Sequence, residues 1–333
     1  MRVVYGAPPG AGWHPITHMV RLLAELLSAE LVTVSVTRPA KAVRRVAAKA
    51  PRRRGRGTCL VVAAAPRHLA SVAEKGYWLH GYGHVAGWVI DSFWVEHLPD
   101  VPRHHFDQLF VADKEVVGEW AGATGVPVTW LPWGADVLRL GSSEADRPID
   151  LQRLGRQPDE WEDDDEVKRA CAEAGLRFEG RPPMYADASA NEESLMARLS
   201  RAKFTLAFTN AVSPASYTHP SRQYLTGRWT DALASGSIVA GITPSCEATD
   251  ALLWPEATLD LGTVDRQEGI RRVVDAASRW TAEAPRENHR QALRRLDWRW
   301  RFRELAQAIG VESEPLDREL DALRAAVAAS TTS

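Results

Sequence analysis

Cysteine is scarce in this 333-residue chain: Cys59, Cys171 and Cys246 are few, far apart and odd in number. They form neither a disulfide framework nor the CxxC spacing of a metal site, so metal and redox chemistry have little to start from. No apolar run approaches the roughly 20 residues of a membrane-spanning helix, which excludes a membrane span of that kind. The opening Met1-Arg2-Val3-Val4-Tyr5-Gly6 lacks the basic segment and apolar stretch of a secretory leader, and the chain is expected in the cytoplasm. An excess of one charge is missing too. With 41 basic and 43 acidic side chains the net charge is −2, so no global field draws the protein to nucleic acid or an anionic membrane. Neither G-x-G-x-x-G nor GxxxxGK[ST] occurs, which leaves NAD-dependent hydride transfer and P-loop hydrolysis without support.

What is present is enough chain for two domains of about 100–200 residues each. Apolar residues at 45% and charged ones at 25% are the ordinary proportions of a globular protein, and Trp is frequent at 13. Residues 2–5 read as a buried strand that ends in the loop Gly6-Ala7-Pro8-Pro9-Gly10-Ala11-Gly12-Trp13-His14. Met19, Leu22, Leu23, Leu26 and Leu27 then recur at helical spacing, and 29–36 is a second strand. Further strands are expected at 59–64, 84–90, 108–112 and 126–132. After a polar, loop-forming stretch the pattern restarts, with strands at 149–156, 176–180, 204–208, 237–241 and 258–261. Strands alternating with helices imply parallel sheets covered on both faces. The expected fold class is α/β, two Rossmann-like doubly wound domains facing across a cleft. The N-terminal domain spans 1–140 and the C-terminal domain 148–295, with helices packing across both and a frayed tail over 296–333. The basic stretch Arg44–Arg56 reads as a solvated loop or helix end, with an anion-binding patch as the alternative, and the acidic run Asp159–Glu166 as a solvated face that opens a helix ending near Gly175, where it suits the positive end of the helix dipole.

Ligands of doubly wound sheets bind at the carboxyl ends of the strands. There Gly10 and Gly12 permit close backbone approach, and the following helix turns its positive end toward an anion. The densest constellation is residues 217–236, Y-T-H-P-S-R-Q-Y-L-T-G-R-W-T-D-A-L-A-S-G, with a helix expected over 223–234. A core helix accounts for Trp229, Ala232 and Leu233 but not for Arg222, Gln223, Arg228 and Asp231 at its glycine-bracketed start. The stretch Asp231-Ala232-Leu233-Ala234-Ser235-Gly236-Ser237-Ile238-Val239-Ala240 resembles the E-A-L-A-x-G-x-P-V-V-A segment of GT-B fold glycosyltransferases, in particular their group 1 (GT4-like) and CgeB-like branches. The resemblance runs from about residue 80 to about residue 305.

Several roles follow as implications of that resemblance. The GT4-like signature is a pair of Glu residues, the first near the transferred sugar and the second accepting hydrogen bonds from the donor ribose; Gln223 and Asp231 stand at that spacing. Arg228 matches the R-x-F-E pattern of CgeB-like proteins, and Gly155-Arg156 matches the Gly-Arg after the first donor-domain strand. Arg156, Arg222 and Arg228 would hold a diphosphate, with Tyr224, Thr226 and Gly227 completing the donor stretch and the Gly10–Gly12 loop closing over it. The family's Lys beyond Gly-Arg is absent, since Gln157 and Pro158 stand there. His14, His84, Asp91 and His219 are candidates for proton transfer with the acceptor or donor, and His80 lies near the same strand; His104 and His105 read as surface.

The resemblance thus implies transfer of a sugar from a nucleotide-diphosphate donor, a co-substrate, to a small-molecule or saccharide acceptor. No further cofactor, obligatory metal or nucleic acid is expected, and the assembly is a monomer or homodimer. Ala- and Arg-rich usage fits a GC-rich bacterial source, where natural-product pathways employ such enzymes. Front-face retention is the expected outcome, and inversion follows if His14, His84 or Asp91 acts as a base from the opposite face. The alternative is a catalytically silent GT-B module that binds the nucleotide sugar, motivated by Gln223, Asp231 and the missing Lys.

Overall fold

The structure is a computed structural model, and it describes residues 1–36, 52–73, 81–98 and 105–330. The basic stretch up to Pro51, His80, His104 and the last three tail residues lie outside the described residues. The chain divides into two units. Unit 1 comprises Met1–Pro132, Asp187–Ser189 and Arg299–Leu320; unit 2 comprises Trp133–Ala186, Ala190–Trp298 and Asp321–Ser333.

Unit 1 opens with β1 (Arg2–Ala7), whose four central residues are all buried. That continuous apolar run is the mark of a strand covered on both faces. Helix α1 (His14–Leu26) buries Ile16, Met19, Val20, Leu22, Leu23 and Leu26, one stripe of a 3.6-residue repeat. Then come β2 (Glu30–Ser35), β3 (Thr58–Ala63), β4 (His84–Val89), β5 (Gln108–Val111), α2 (Val117–Thr124) and β6 (Val128–Trp130). The strands form one parallel sheet in the order β2-β1-β3-β4-β5-β6. Its core gathers Val4, Val61, Val85, Leu109 and Val111 with Trp120. The Trp120 indole N–H donates to the Ser92 carbonyl at 2.9 Å, so this fully buried ring also satisfies its one polar atom.

Unit 2 contains α3 (Val137–Leu140), β7 (Ile149–Arg153), α4 (Asp159–Glu162), α5 (Asp164–Glu173), β8 (Phe178–Glu179), α6 (Ala188–Leu199), β9 (Ala202–Leu206), α7 (Gly227–Ala234), β10 (Ile238–Gly241), α8 (Glu247–Leu252), β11 (Thr258–Asp260), α9 (Arg266–Ser278) and α10 (Glu283–Arg295). Its five strands are parallel in the order β11-β10-β9-β7-β8. Leu151, Trp161, Phe204, Leu206 and Phe208 fill its core. Helices α11 (Trp298–Ala308) and α12 (Glu314–Ala329) end the chain. Trp298 meets Trp133 edge-on in unit 2, and Phe302 meets Trp88 edge-on in unit 1.

Some local expectations are corrected. The acidic run forms two helices because Asp163 takes an extended backbone between them and caps the second, accepting from the N–H groups of Asp165 and Glu166 at 2.9 and 3.0 Å. His105 is fully buried, not on the surface, because it leads into β5 beside Phe106. The helix expected from Gln223 begins only at Gly227, since Arg222–Thr226 run outside it, held by side chains described below. In both sheets the chain steps outward from one strand and then crosses back: between β1 and β3 in unit 1, and between β7 and β9 in unit 2. At such switch points the loops part and leave a crevice at the carboxyl edge.

Candidate functional site

The segments leaving the carboxyl ends of β7 and β9 are Leu154–Gln157 and Ala207–Asn210. Arg153, at the end of β7, is buried and fully engaged: it donates to Asp164 Oδ1 and Glu162 Oε2 at 2.6 Å and to the Glu162 carbonyl at 2.7 Å. Gln157 donates from Nε2 to the carbonyls of Leu154 and Leu206 at 3.2 and 3.3 Å, pinning the turn to both strands. A carboxamide that ties down backbone therefore stands where the resemblance leads one to look for a Lys.

Gly155, inside this turn, has φ +74°, and a Cβ there would stand 2.5 Å from the Cδ of Arg228. Only glycine combines that backbone with so close an approach. Arg156 and Arg228 are thus neighbours, although 72 positions separate them in sequence. The Arg156 guanidinium carbon lies 4.7 Å from the Tyr217 ring centroid and that of Arg228 lies 4.9 Å from the Trp229 ring centroid. Stacking engages a guanidinium's face and leaves its N–H edge open. Arg156 Nε and Arg228 Nη1 are buried without a hydrogen-bond partner. Neither arginine pairs with a carboxylate among the described residues. Burial, and next to it the positive charge of Arg156, push Arg228 down to about 10, so it stays cationic at neutral pH. Two adjacent, unneutralised cations are costly unless an anion completes them. Gly155→Ala is expected to cost roughly 1–2 kcal/mol through the left-handed backbone. By displacing Arg228 it should also weaken anion binding about tenfold. Thermal melts with and without inorganic pyrophosphate check both effects.

The approach to α7 explains its late start. Asn210 Nδ2 donates to the carbonyls of His219 and Arg222 at 3.1 and 2.8 Å, and His219 Nδ1 accepts from the backbone N–H groups of Ser221 and Arg222 at 3.2 and 2.9 Å. An acceptor Nδ1 puts the ring proton of neutral His219 on Nε2. Gln223 Oε1 accepts from Thr209 Oγ1 at 2.8 Å and from the Ser245 N–H at 3.2 Å, which turns its amide donors the other way. Arg222 contributes its backbone to this scaffold; Tyr224 is buried, and Thr226 is extended and precedes α7. No side chain caps the α7 N-terminus. A Cβ on Gly227 would stand 2.8 Å from Trp133 Nε1 and 3.0 Å from Asp231 Oδ2, so glycine is required there by close approach.

Asp231, expected as an open ribose acceptor, lies on α7 only 5% exposed. Burial first, and then the charge of Glu192, raise its carboxyl well above the usual range. A buried carboxyl beside another is easier to keep neutral than charged. Glu192, Thr209, Asn210 and Tyr217 are the participants that sequence reading missed. Only Tyr217, inside the quoted stretch, and Asn210, just past a strand, carried any local signal.

In unit 1 the carboxyl edge holds Gly10, Gly12 and His14 after β1 and Asp91 after β4. Gly10 has φ +103°, and a Cβ on either glycine would meet nothing within 4 Å. His14 opens α1, and its Nδ1 is buried without a hydrogen-bond partner. Asp91 is pushed up to about 7, by burial first and by Asp113 second, with Arg67 opposing. Ser92 Oγ donates to Asp113 Oδ2 at 2.7 Å and accepts from the Asp113 N–H at 3.0 Å, fixing that second carboxylate. His84 is a correction. It is the first residue of β4, at the amino edge, where its Nδ1 lies 3.8 Å from Asp107 Oδ2. Parallel strands put all carboxyl ends on one edge, so His84 stands opposite Asp91 rather than beside it. Among the described residues no group of His, Cys, Asp and Glu is placed to hold a metal, and no helix is long and apolar enough to cross a membrane.

No protein-family model matches the chain, and no curated protein matches it in sequence. Solved structures do. HepE from Anabaena, crystallised in complex with UDP, is similar with a TM-score of 0.54 and 11% identity, over 93% of this chain and 100% of that one. Sucrose-phosphate synthase from Thermosynechococcus elongatus is similar with a TM-score of 0.52 and 12% identity, over 97% of this chain and 100% of that one. With the two parallel sheets, of six and five strands, these likenesses show the two-domain, Rossmann-like GT-B fold.

Proposed function

We propose that this GT-B chain is a glycosyltransferase that takes its sugar from a nucleotide-diphosphate donor bound on unit 2. The observation that carries the reading is the unneutralised pair Arg156 and Arg228 in the switch-point crevice. When the bond between sugar and diphosphate breaks, negative charge builds on the departing oxygen, and two fixed guanidinium groups stabilise that charge more in the transition state than in the ground state. This is the work a divalent cation does elsewhere, and the reading is metal-independent. The start of α7 carries no side-chain cap, which leaves first-turn backbone N–H donors for an anion. A neutral Asp231 carboxyl donates one hydrogen bond and accepts others, which suits the two hydroxyls of a ribose. The Gln223 amide group donates to a sugar hydroxyl, a role a carboxylate in its place would fill only as acceptor.

The proton of a hydroxyl acceptor goes to Asp91, the base candidate whose carboxyl lies at the carboxyl edge and titrates near neutrality. A base on the acceptor side makes inversion the expected stereochemistry, in place of the retention that the resemblance alone implies. The acceptor is a small molecule or saccharide, and natural-product assembly in a bacterium is the setting that suits it.

The test is a binding panel of UDP, GDP, TDP, CDP and ADP, read by thermal shift and calorimetry, because a ligand that binds only the folded state raises its melting temperature. One diphosphate is expected to bind, and its sugar conjugates are then expected to release sugar. Binding without release identifies a silent nucleotide-sugar module. No binding by any of the five overturns the donor site.

A further inference from the structure

The loop between β9 and α7 spends an aromatic ring in an unusual way. Tyr217 is 64% exposed, more than any other large hydrophobic side chain among the described residues, so packing does not explain it. Its backbone is nonetheless held firmly. Tyr217 is the third residue of a turn in which the Thr218 N–H donates to the Ala215 carbonyl at 3.0 Å. Thr218 Oγ1 closes the same turn from the side chain, donating to the Ala215 carbonyl and accepting from the Ala215 N–H, each at 2.9 Å. Immediately beyond, Asn210 and His219 anchor the chain through the four bonds already described. The ring presented to solvent from so fixed a base lies under the Arg156 guanidinium, whose central carbon is 4.7 Å from its centroid, and Arg228 also feels the Tyr217 group electrostatically.

We propose that Tyr217 is a positioning residue, which holds the Arg156 guanidinium plane by stacking on one face so that its N–H edge is set for the diphosphate. The inference rests on the donor-site reading above. Its logic is geometric. A carboxylate partner would immobilise Arg156 just as well, but would occupy the in-plane N–H donors and cancel the charge that the ligand needs. An aromatic face immobilises the group and consumes neither. The arrangement matches what is seen at Arg228, stacked on Trp229 and likewise without a carboxylate. The phenol ring, not its hydroxyl, does the holding.

The experiment uses the full chain with Tyr217→Ala, Tyr217→Phe, Arg156→Ala and the double variant Arg156→Ala/Tyr217→Ala, titrated with inorganic pyrophosphate and with UDP. Tyr217→Ala is expected to weaken pyrophosphate about fivefold with an unchanged melting temperature, the size of an exposed cation–π contact. Tyr217→Phe should bind as the parent does. In the Arg156→Ala background the loss of the ring should have no further effect, because a pair acting as one unit is non-additive. Equal losses in both backgrounds, or an unaffected Tyr217→Ala, overturn the proposal. Relaxation of the Arg156 ¹⁵Nε in the ligand-free protein separates it from the donor-site reading. If the parent binds neither probe, that reading fails, and the stack is then judged by whether Arg156 becomes mobile in Tyr217→Ala and stays rigid in Tyr217→Phe. An Arg156 equally rigid in all three overturns it.

Discussion

Arg228→Ala is expected to weaken nucleoside-diphosphate binding by about a hundredfold, the worth of roughly 3 kcal/mol in charge-assisted hydrogen bonds. Arg156→Ala should lose a similar amount, and the double variant should show no measurable binding. The unusual part of the expectation concerns the protein without ligand. Arg156 and Arg228 repel each other, and neither has a carboxylate to offset that repulsion or its own burial. Removing one of them therefore relieves a strain, so the ligand-free Arg228→Ala protein should melt no lower than the parent. Arg228→Lys should not restore binding, since a lysine keeps the charge but loses the planar fork that stacks on Trp229 and presents parallel donors. Calorimetry and melting curves of the parent and the four variants check the set. A variant that loses stability and affinity together points to Arg228 as a packing residue, and the diphosphate site then loses its foundation.

Asp91→Asn is expected to lower turnover by about 10²–10⁴ while leaving diphosphate affinity unchanged, the usual contribution of a positioned base. Sugar release to water suffices as the assay, so the natural acceptor need not be in hand. Below neutrality Asp91 is protonated and cannot accept a proton, so the parent's rate should climb with pH and level off above about 7. Stability should move the other way. The carboxyl is raised from 3.8 in the unfolded chain to about 7 in the fold, by burial and by Asp113. The folded state therefore holds the proton more tightly, and the stability linked to it is complete below about pH 4 and lost as pH rises through about 7. The asparagine variant has no such proton. Its stability should match the parent's at pH 4 and exceed it above pH 7 by a free energy that three units of pKa limit to at most ~4 kcal/mol, read as a gap in melting temperature that opens with pH. A flat rate profile in the parent, or a melting gap that does not grow with pH, would remove Asp91 as the base.

A good part of the protein was legible in its sequence because parallel strands covered on both faces have to be continuously apolar. Val-Val-Tyr in β1 and Leu-Val-Val in β3 announce themselves in that way, while strands such as β2 (Glu-Leu-Val-Thr-Val-Ser) and β7 (Ile-Asp-Leu-Gln-Arg) are mixed in polarity and show through their place in the alternation of strands and helices. The D-A-L-A-S-G motif likewise carried the fold resemblance, since the spacing of small and large residues along α7 and into β10 is a local property.

What the sequence could not decide was everything set by bonds between distant positions. Residues 223–226 have the pattern of a helix, but the Asn210 amide and the His219 ring hold the preceding backbone, and Gln223 is claimed by Thr209 and Ser245, so helix formation waits for Gly227. His84 and Asp91 look alike as neighbours in sequence. Only the direction of β4 within a parallel sheet sends them to opposite edges and leaves Asp91 with the loops of the carboxyl edge. Asp231 was readable as a carboxylate, but its preference for the neutral form comes from burial and from Glu192 on another helix. The sequence by itself determined two α/β units and the list of charged residues between their strands. The tertiary structure alone decided which of those charges are neutralised, as Arg153 is, and which are left facing each other, as Arg156 and Arg228 are, because electrostatic energy depends on separation in space and burial, and chain order encodes neither.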